Sequence, residues 1–288
     1  MPAGRTRRLT FVALVAACLL LLIAAQAALG DAITPESGGS KNADDIDTLY
    51  KITLYVGIVI FLIVEGTLIW SLVRFRERRG GPRAAQIRGN TPLELGWTIG
   101  AALILVVLAV VTFVYLDDIK NPPPSGPNGL RADSAMFASL NQSTPPKSGG
   151  PSLNIDVNGQ QYLWRYDYPG KDQLFTYYEL VVPTETTVTL DIRASDVIHS
   201  WWIPKLGGKA DGVPGHTNHT WFKIAKPGLY KGQCAELCGE GHADMRAQVR
   251  AVTPDQFEAW ASRQRAGIKQ AQAALATQRR AREAGGQG

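Results

Sequence analysis

The sequence is sparing with the residues that usually build reactive or cross-linked sites, having three cysteines, four histidines and three methionines in 288 residues. Three cysteines leave room for one disulfide at most. No C-x-x-C-H run occurs, so no haem is attached covalently here. The arginines crowd the N-terminus, the segment 74–88 and the C-terminal tail. None of those clusters is interleaved with aromatics or set in a recognition motif, which speaks against nucleic acid; flanking a membrane explains the net charge of +5 better. The tail, 253–288, lacks a long apolar stripe and reads as a polar, peripheral helix.

What the sequence does have is long apolar runs, three of them before residue 120. The first, within 1–29, follows Arg5, Arg7 and Arg8 and ends near Ala25-Gln26-Ala27, the layout of a signal peptide. A membrane anchor is the alternative, and Val15-Ala16-Ala17-Cys18 resembles a lipoprotein cleavage box. The other two, about 50–73 and 95–116, are each long enough to cross a hydrocarbon core and form a hairpin over 45–118. Between them lie Arg74, Arg76, Arg78, Arg79, Arg83 and Arg88 against the single acid Glu77, which puts this loop in the cytoplasm and everything after 116 outside. Glu65 interrupts the first span; an acid there is costly unless it faces protein, water or the interface, so one face of this helix meets a partner. Glu94 and Trp97 stand at the edge of the second span.

Residues 119–152 are rich in Pro and Gly and read as an extended connection. From 153 to 252 the texture changes to short segments rich in β-branched and aromatic residues, such as LNIDVNGQ and TVTLDIRA, separated by turn residues. That spacing predicts a β-sandwich or barrel, making the chain an α+β membrane protein.

The chemistry concentrates in Gly232-Gln233-Cys234-Ala235-Glu236-Leu237-Cys238-Gly239-Glu240-Gly241-His242-Ala243-Asp244-Met245. The spacing C-x3-C-x3-H-x2-M offers two thiolates, an imidazole and a thioether within twelve residues. Sulfur with imidazole selects copper or zinc, and the thioether tilts the choice to copper. His199, in Asp196-Val197-Ile198-His199-Ser200-Trp201-Trp202, follows a strand-like run whose end can meet this loop. The set serves one copper generously, or two coppers sharing the thiolates; the carbonyl of Glu236 is a further weak donor. A structural zinc site and a Cys234–Cys238 disulfide are the bland alternatives. His216 and His219 read as loop residues.

The run GQCAELCGEGHADM, the segment DVIHSWWIP and the two preceding spans resemble subunit II of the haem–copper cytochrome c oxidases over residues 45 to 252. The resemblance implies a cupredoxin-like Greek-key fold carrying the binuclear copper centre CuA. Cys234 and Cys238 would bridge, His199 and His242 would ligate, Met245 would be the weak axial ligand, and Glu236 would lend its carbonyl. It also implies a magnesium ion shared with subunit I and reached by the Glu236 side chain, with Asp211 an acid facing that boundary. NTPLELGWT resembles the segment in which an acid, here Glu94, marks the mouth of a proton pathway; a helix cap is the plainer reading. Gly159-Gln160-Gln161-Tyr162-Leu163-Trp164 resembles the patch that receives electrons, with Tyr162 where many members have Trp, and Trp164 matching. Asp196, Glu179 and Asp167 could add acid to a docking patch, and Arg165 weakens that picture.

The expected partners are subunit I, subunit III, the lipid bilayer and a separate cytochrome c or a cytochrome of a neighbouring complex, in a bacterial plasma membrane with the copper domain and both mature termini outside. A membrane-anchored copper carrier is the competing class. It needs neither Glu94 nor the boundary acids. A nitrous-oxide reductase needs more histidines than are present, and a quinol oxidase subunit lacks the ligands found here.

Overall fold

The computed structural model describes residues 33–76, 85–130, 146, 149–170 and 173–285. The signal-peptide segment with Cys18, part of the arginine loop and much of the 119–152 connection lie outside these residues.

Among the described residues two long helices come first, α1 (Lys41–Arg74) and α2 (Thr91–Lys120), each apolar and long enough to cross a membrane. Both exceed the spans expected from hydropathy. The extra turns of α1 are polar and pack against the outer domain, burying Asn42, Ala43 and Asp47. Asn42 Nδ2 donates to Trp221 O at 2.8 Å, and Trp221 Nε1 donates to Ile119 O at 2.9 Å, so one residue of the outer domain holds both helices. Lys223 N donates to Ser40 Oγ at 3.1 Å beside them. The α2 N-terminus is closed reciprocally: Asn90 Oδ1 accepts from Leu93 N, and Glu94 Oε1 accepts from Asn90 N at 3.0 Å.

The outer domain is a sandwich of two five-stranded sheets. Its strands are β1 (Leu153–Gln160), β2 (Leu163–Tyr168), β3 (Leu174–Tyr177), β4 (Glu179–Pro183), β5 (Thr187–Ala194), β6 (His199–Trp202), β7 (Ala210–Gly212), β8 (Asn218–Lys223), β9 (Gly228–Cys234) and β10 (Arg246–Val252). One sheet runs β3-β2-β1-β5-β8 and the other β4-β10-β9-β6-β7, with β1–β5 and β4–β10 parallel and the other pairs antiparallel. This is a cupredoxin-like fold. Alternation explains it locally: in β2, Trp164, Tyr166 and Tyr168 point inward and are buried, while Leu163, Arg165 and Asp167 are half-buried. Inside, Ile155, Val157, Leu190 and Ile192 meet Leu180, Val182, Val249 and Ile203. Trp201 stacks on Phe222 at 6.1 Å and donates its Nε1–H to Tyr166 Oη at 3.1 Å, tying the sheets together.

On the outer face of the first sheet, register lines up Asp167, Asp156, Asp191 and His219 across four strands. Arg165 pairs with Asp167, Arg193 with Asp156, and His219 with Asp191 at 2.7, 3.1 and 2.8 Å. Burial, with Asp191 and Asp167 adding repulsion against the pull of Arg193, pushes the Asp156 carboxyl above its usual range.

Two segments differ from expectation. The start of the connection is docked: Leu130 N donates to Thr186 Oγ1 at 2.7 Å, Thr187 N donates to Ser125 Oγ at 3.0 Å, and Leu130 is buried. The C-terminal helix α3 (Pro254–Gly285) is peripheral only in its later turns. Phe257 and Ala261 are buried, and Phe257, Trp260 and Tyr168 pack as an aromatic cluster. Gln264 donates to Phe175 O at 3.3 Å, covering edge strand β3.

Candidate metal centre

Pairing of β6 with β9 sets Trp201 opposite Cys234, which brings His199 of one strand beside the loop that leaves the other. The loop is tied at its base by Cys234 N donating to Met245 O and Ala235 N donating to Ser200 O, both at 2.8 Å. A short 3-10 turn at His242–Asp244 returns the chain so that Met245 points inward.

The donors converge. Cys234 Sγ lies 3.9 Å from His199 Nδ1, 4.0 Å from Cys238 Sγ and 3.3 Å from Glu236 O. Cys238 Sγ lies 3.6 Å from His242 Nδ1 and 3.8 Å from Met245 Sδ. His199, Cys234 and Cys238 have ligand atoms all within 4.8 Å of one another and are buried, as is Met245. His242 is half-buried, and the Glu236 side chain is exposed. Cys234 and Cys238 are free thiols at a separation far from the ~2.05 Å of a disulfide.

This chemistry fits a soft, thiophilic cation. Burial, reinforced by the neighbouring Cys234, pushes the Cys238 thiol up to about 11. Two adjacent thiolates in such a place call for positive charge, which a metal supplies as the thiols lose their protons.

The surroundings hold the converging side chains in place. His199 Nε2 lies 2.9 Å from Asp196 Oδ1, an arrangement that makes Nε2–H the donor and leaves Nδ1 free towards Cys234. Asp196 also accepts from Gln161 N and Val197 N, each at 2.7 Å. Desolvation pushes its carboxyl up, but the hydrogen bonds from Gln161, His199 and Val197 outweigh this and hold it below the usual range. Asp196, read from sequence as docking charge, is thus a positioning group. Its place three residues before His199 was the available signal. Gln161 Nε2 donates to Cys238 O at 2.7 Å, a contact nothing in the sequence announced.

Tyr162 is half-buried, with its ring on the loop backbone. A Cβ on Gly241 would come within 2.5 Å of that ring. One on Gly239, which has φ +128°, would come within 2.7 Å of the Tyr162 hydroxyl, so both positions require glycine. Trp164 is fully buried and edge-on to His199, with ring centroids 5.8 Å apart. Of the two aromatics only Tyr162 reaches the surface. Asp211 and Glu94 are exposed and are not among the converging donors; Asp211 lies opposite Ser200 in β7, and Glu94 lies in the first turn of α2. His216 and His219 are not drawn to the donors; His219 is held by Asp191.

Comparison with known proteins places the chain in a family. A profile described as "Cytochrome C oxidase subunit II, periplasmic domain" matches residues 171–252, and one described as "Cytochrome C oxidase subunit II, transmembrane domain" matches residues 13–114. Cytochrome c oxidase subunit 2 of Alkalihalophilus pseudofirmus is 33% identical over 231 residues, 80% of this chain and 61% of the relative. That of Thermostichus vulcanus is 34% identical over 258 residues, 79% of this chain and 77% of the relative. Among solved structures, the periplasmic domain of subunit II of cytochrome oxidase from Bradyrhizobium japonicum is 34% identical, with a TM-score of 0.39 over 40% of this chain and 94% of that one. With both profiles matched in order and a relative covered over most of its length, the chain belongs to the cytochrome c oxidase subunit II family.

Proposed function

We propose that this chain is the CuA subunit of a respiratory cytochrome c oxidase, accepting electrons from a cytochrome c and passing them to haem in subunit I, where oxygen is reduced and protons are pumped. It is a non-catalytic subunit of that enzyme. The observation that carries the reading is the convergence of five side chains and one carbonyl from β6 and a single loop: His199, Cys234, Cys238, His242, Met245 and Glu236 O.

When bound, a pair of copper ions supplies a one-electron couple. Cys234 and Cys238 would hold it as thiolates, His199 and His242 through Nδ1, Met245 through its thioether and Glu236 through its carbonyl. The buried thiols and Met245 keep water from the site. Asp196 keeps the proton of His199 on Nε2. Tyr162 lies between solvent and the loop, and is the surface group through which an electron donor communicates with the site; Trp164 packs behind His199. The exposed Glu236 carboxylate, with Asp211 towards the same boundary, is available to a magnesium ion shared with subunit I. Glu94 is the proposed proton-uptake acid, and releasing its cap on Asn90 frees it for that role. Subunit III is a further expected neighbour. The chain then sits in a bacterial plasma membrane with two mature helices, the arginine loop inside, and the copper domain and both mature termini outside.

The test is metal analysis and electron paramagnetic resonance on the copper-loaded full chain in detergent. Two coppers per chain sharing one unpaired electron are expected. A single zinc, or an isolated one-copper signal, sinks the proposal.

A further inference from the structure

Gln161 touches both arms of the donor cluster. It stands with Tyr162 in the two-residue turn between β1 and β2, where Gln160 pairs with Leu163. That hairpin belongs to the first sheet, whereas His199 and the loop leaving Cys234 belong to the second. The Gln161 backbone N–H donates to Asp196 Oδ2 at 2.7 Å, and Asp196 Oδ1 lies 2.9 Å from His199 Nε2. The Gln161 side chain crosses to the loop, where Nε2 donates to Cys238 O at 2.7 Å. A carbonyl only accepts, so the amide nitrogen and not its oxygen faces Cys238. Elsewhere the loop is held by its own backbone. Its ends are tied by Cys234 N to Met245 O and by Ala235 N to Ser200 O, and its return by His242 N to Gly239 O. Between them, Glu236, Leu237 and Cys238 make no backbone–backbone hydrogen bond among the described residues, and Leu237 is exposed. Cys234 is placed by strand pairing, opposite Trp201. Cys238 has no strand beneath it, and the Gln161 amide takes that part.

We propose that Gln161 is a positioning residue for the copper pair: its side-chain amide sets where Cys238 stands relative to Cys234, whose place the second sheet already sets. This rests on the copper reading given above. Groups that orient a ligand from outside govern how well the metal is held. Two thiolates shared equally by two ions need matched positions, and the sulfurs here lie 4.0 Å apart. Loosening Cys238 alone therefore makes the two halves of the site unequal. The contact to Asp196 comes from the Gln161 main chain, so substituting the side chain leaves the His199 arm intact and tests the Cys238 arm by itself.

The test compares the full chain in detergent with Gln161→Met, which keeps the length and loses the donor, and Gln161→Glu, which turns a carboxylate towards the Cys238 carbonyl. Gln161 is exposed, so neither change opens a cavity in the core. In the copper-loaded parent, electron paramagnetic resonance is expected to show equal couplings to the two coppers, and in both variants unequal ones. Chelator competition is expected to show copper held about ten-fold more weakly by the Met variant, and more weakly still by the Glu variant. Isotope-labelled cysteine carbonyls, followed by nuclear magnetic resonance in the metal-free chain, report the brace without any copper. The Cys238 signal is expected to move in Gln161→Met while that of Cys234 stays. A Met variant with equal couplings and copper affinity within about two-fold of the parent overturns the proposal. So does movement of both cysteine signals, which marks a general loosening of the domain. A parent chain without a shared electron overturns the copper reading, and this role falls with it. A parent with that signal beside an unchanged Met variant overturns this role alone.

Discussion

Removing Asp196 gives the sharpest test of how this fold controls the proposed copper site. The carboxylate makes three contacts: Gln161 N and Val197 N at 2.7 Å and His199 Nε2 at 2.9 Å. Asp196→Ala deletes all three. Hydrogen bonds to a charged group contribute about 1.5–3 kcal/mol each when buried. The Asp196 side chain is 32% exposed, so water takes up part of that loss. The larger effect falls on His199, the proposed ligand. Without its partner the His199 ring is free to rotate and to carry its proton on Nδ1, the nitrogen facing Cys234. Loss of such an outer partner typically costs 10–100-fold in metal affinity. The assay is a chelator-competition titration of Cu into the metal-free full chain, with thermal unfolding of the same samples run in parallel. Asp196→Ala is expected to weaken copper binding by about ten-fold or more, while Asp196→Asn, which keeps one accepting oxygen, falls between. A variant that unfolds near the parent temperature and binds copper within two-fold of the parent refutes the positioning role, with ~2-fold being less than half a kcal/mol.

Two further outcomes follow from the geometry. Met245→Leu nearly conserves volume in a fully buried place, so it should cost less than about 1.5 kcal/mol of stability while changing the copper spectrum and potential; an unfolded, copper-free domain contradicts a weak-ligand role for the thioether. Asp156 is raised first by burial and then by Asp191 and Asp167, so its contribution favours the fold below the unfolded value of 3.8 and is lost as pH rises through the higher folded value. Asp156→Asn should therefore raise the unfolding temperature at neutral pH, with the gain shrinking in acid; a lower temperature at neutral pH means the Arg193 pair outweighs the repulsion.

Much of the architecture was legible because it is written in strong periods. The two spans follow from unbroken apolar runs, and the sandwich from alternation such as that of β2, where inward Trp164 and Tyr166 flank outward Arg165. The donor loop was legible because its sulfur and imidazole groups are close in sequence. What escaped was structure made by polar or sparse residues. The first turns of α1 look like loop because Asn42 and Asp47 bury against the outer domain rather than in lipid. Phe257, Trp260 and Ala261 of α3 are too few to form a stripe, yet they suffice because Tyr168 completes their cluster. Charge misled in the same way: Asp196 looks like surface acid until its three donors are seen.

The meeting of both long helices at Trp221 bears on the proposed electron transfer. Tunnelling rates fall steeply with distance, so a site on a swinging tether would deliver electrons erratically. Here the backbone carbonyl and the indole N–H of one residue clamp α1 and α2 to the same strand, and Ser40 holds the next turn of that edge. The height of the proposed copper site above the bilayer is therefore set within the chain itself, before any neighbouring subunit arrives, like a lamp on a bracket rather than on a cord.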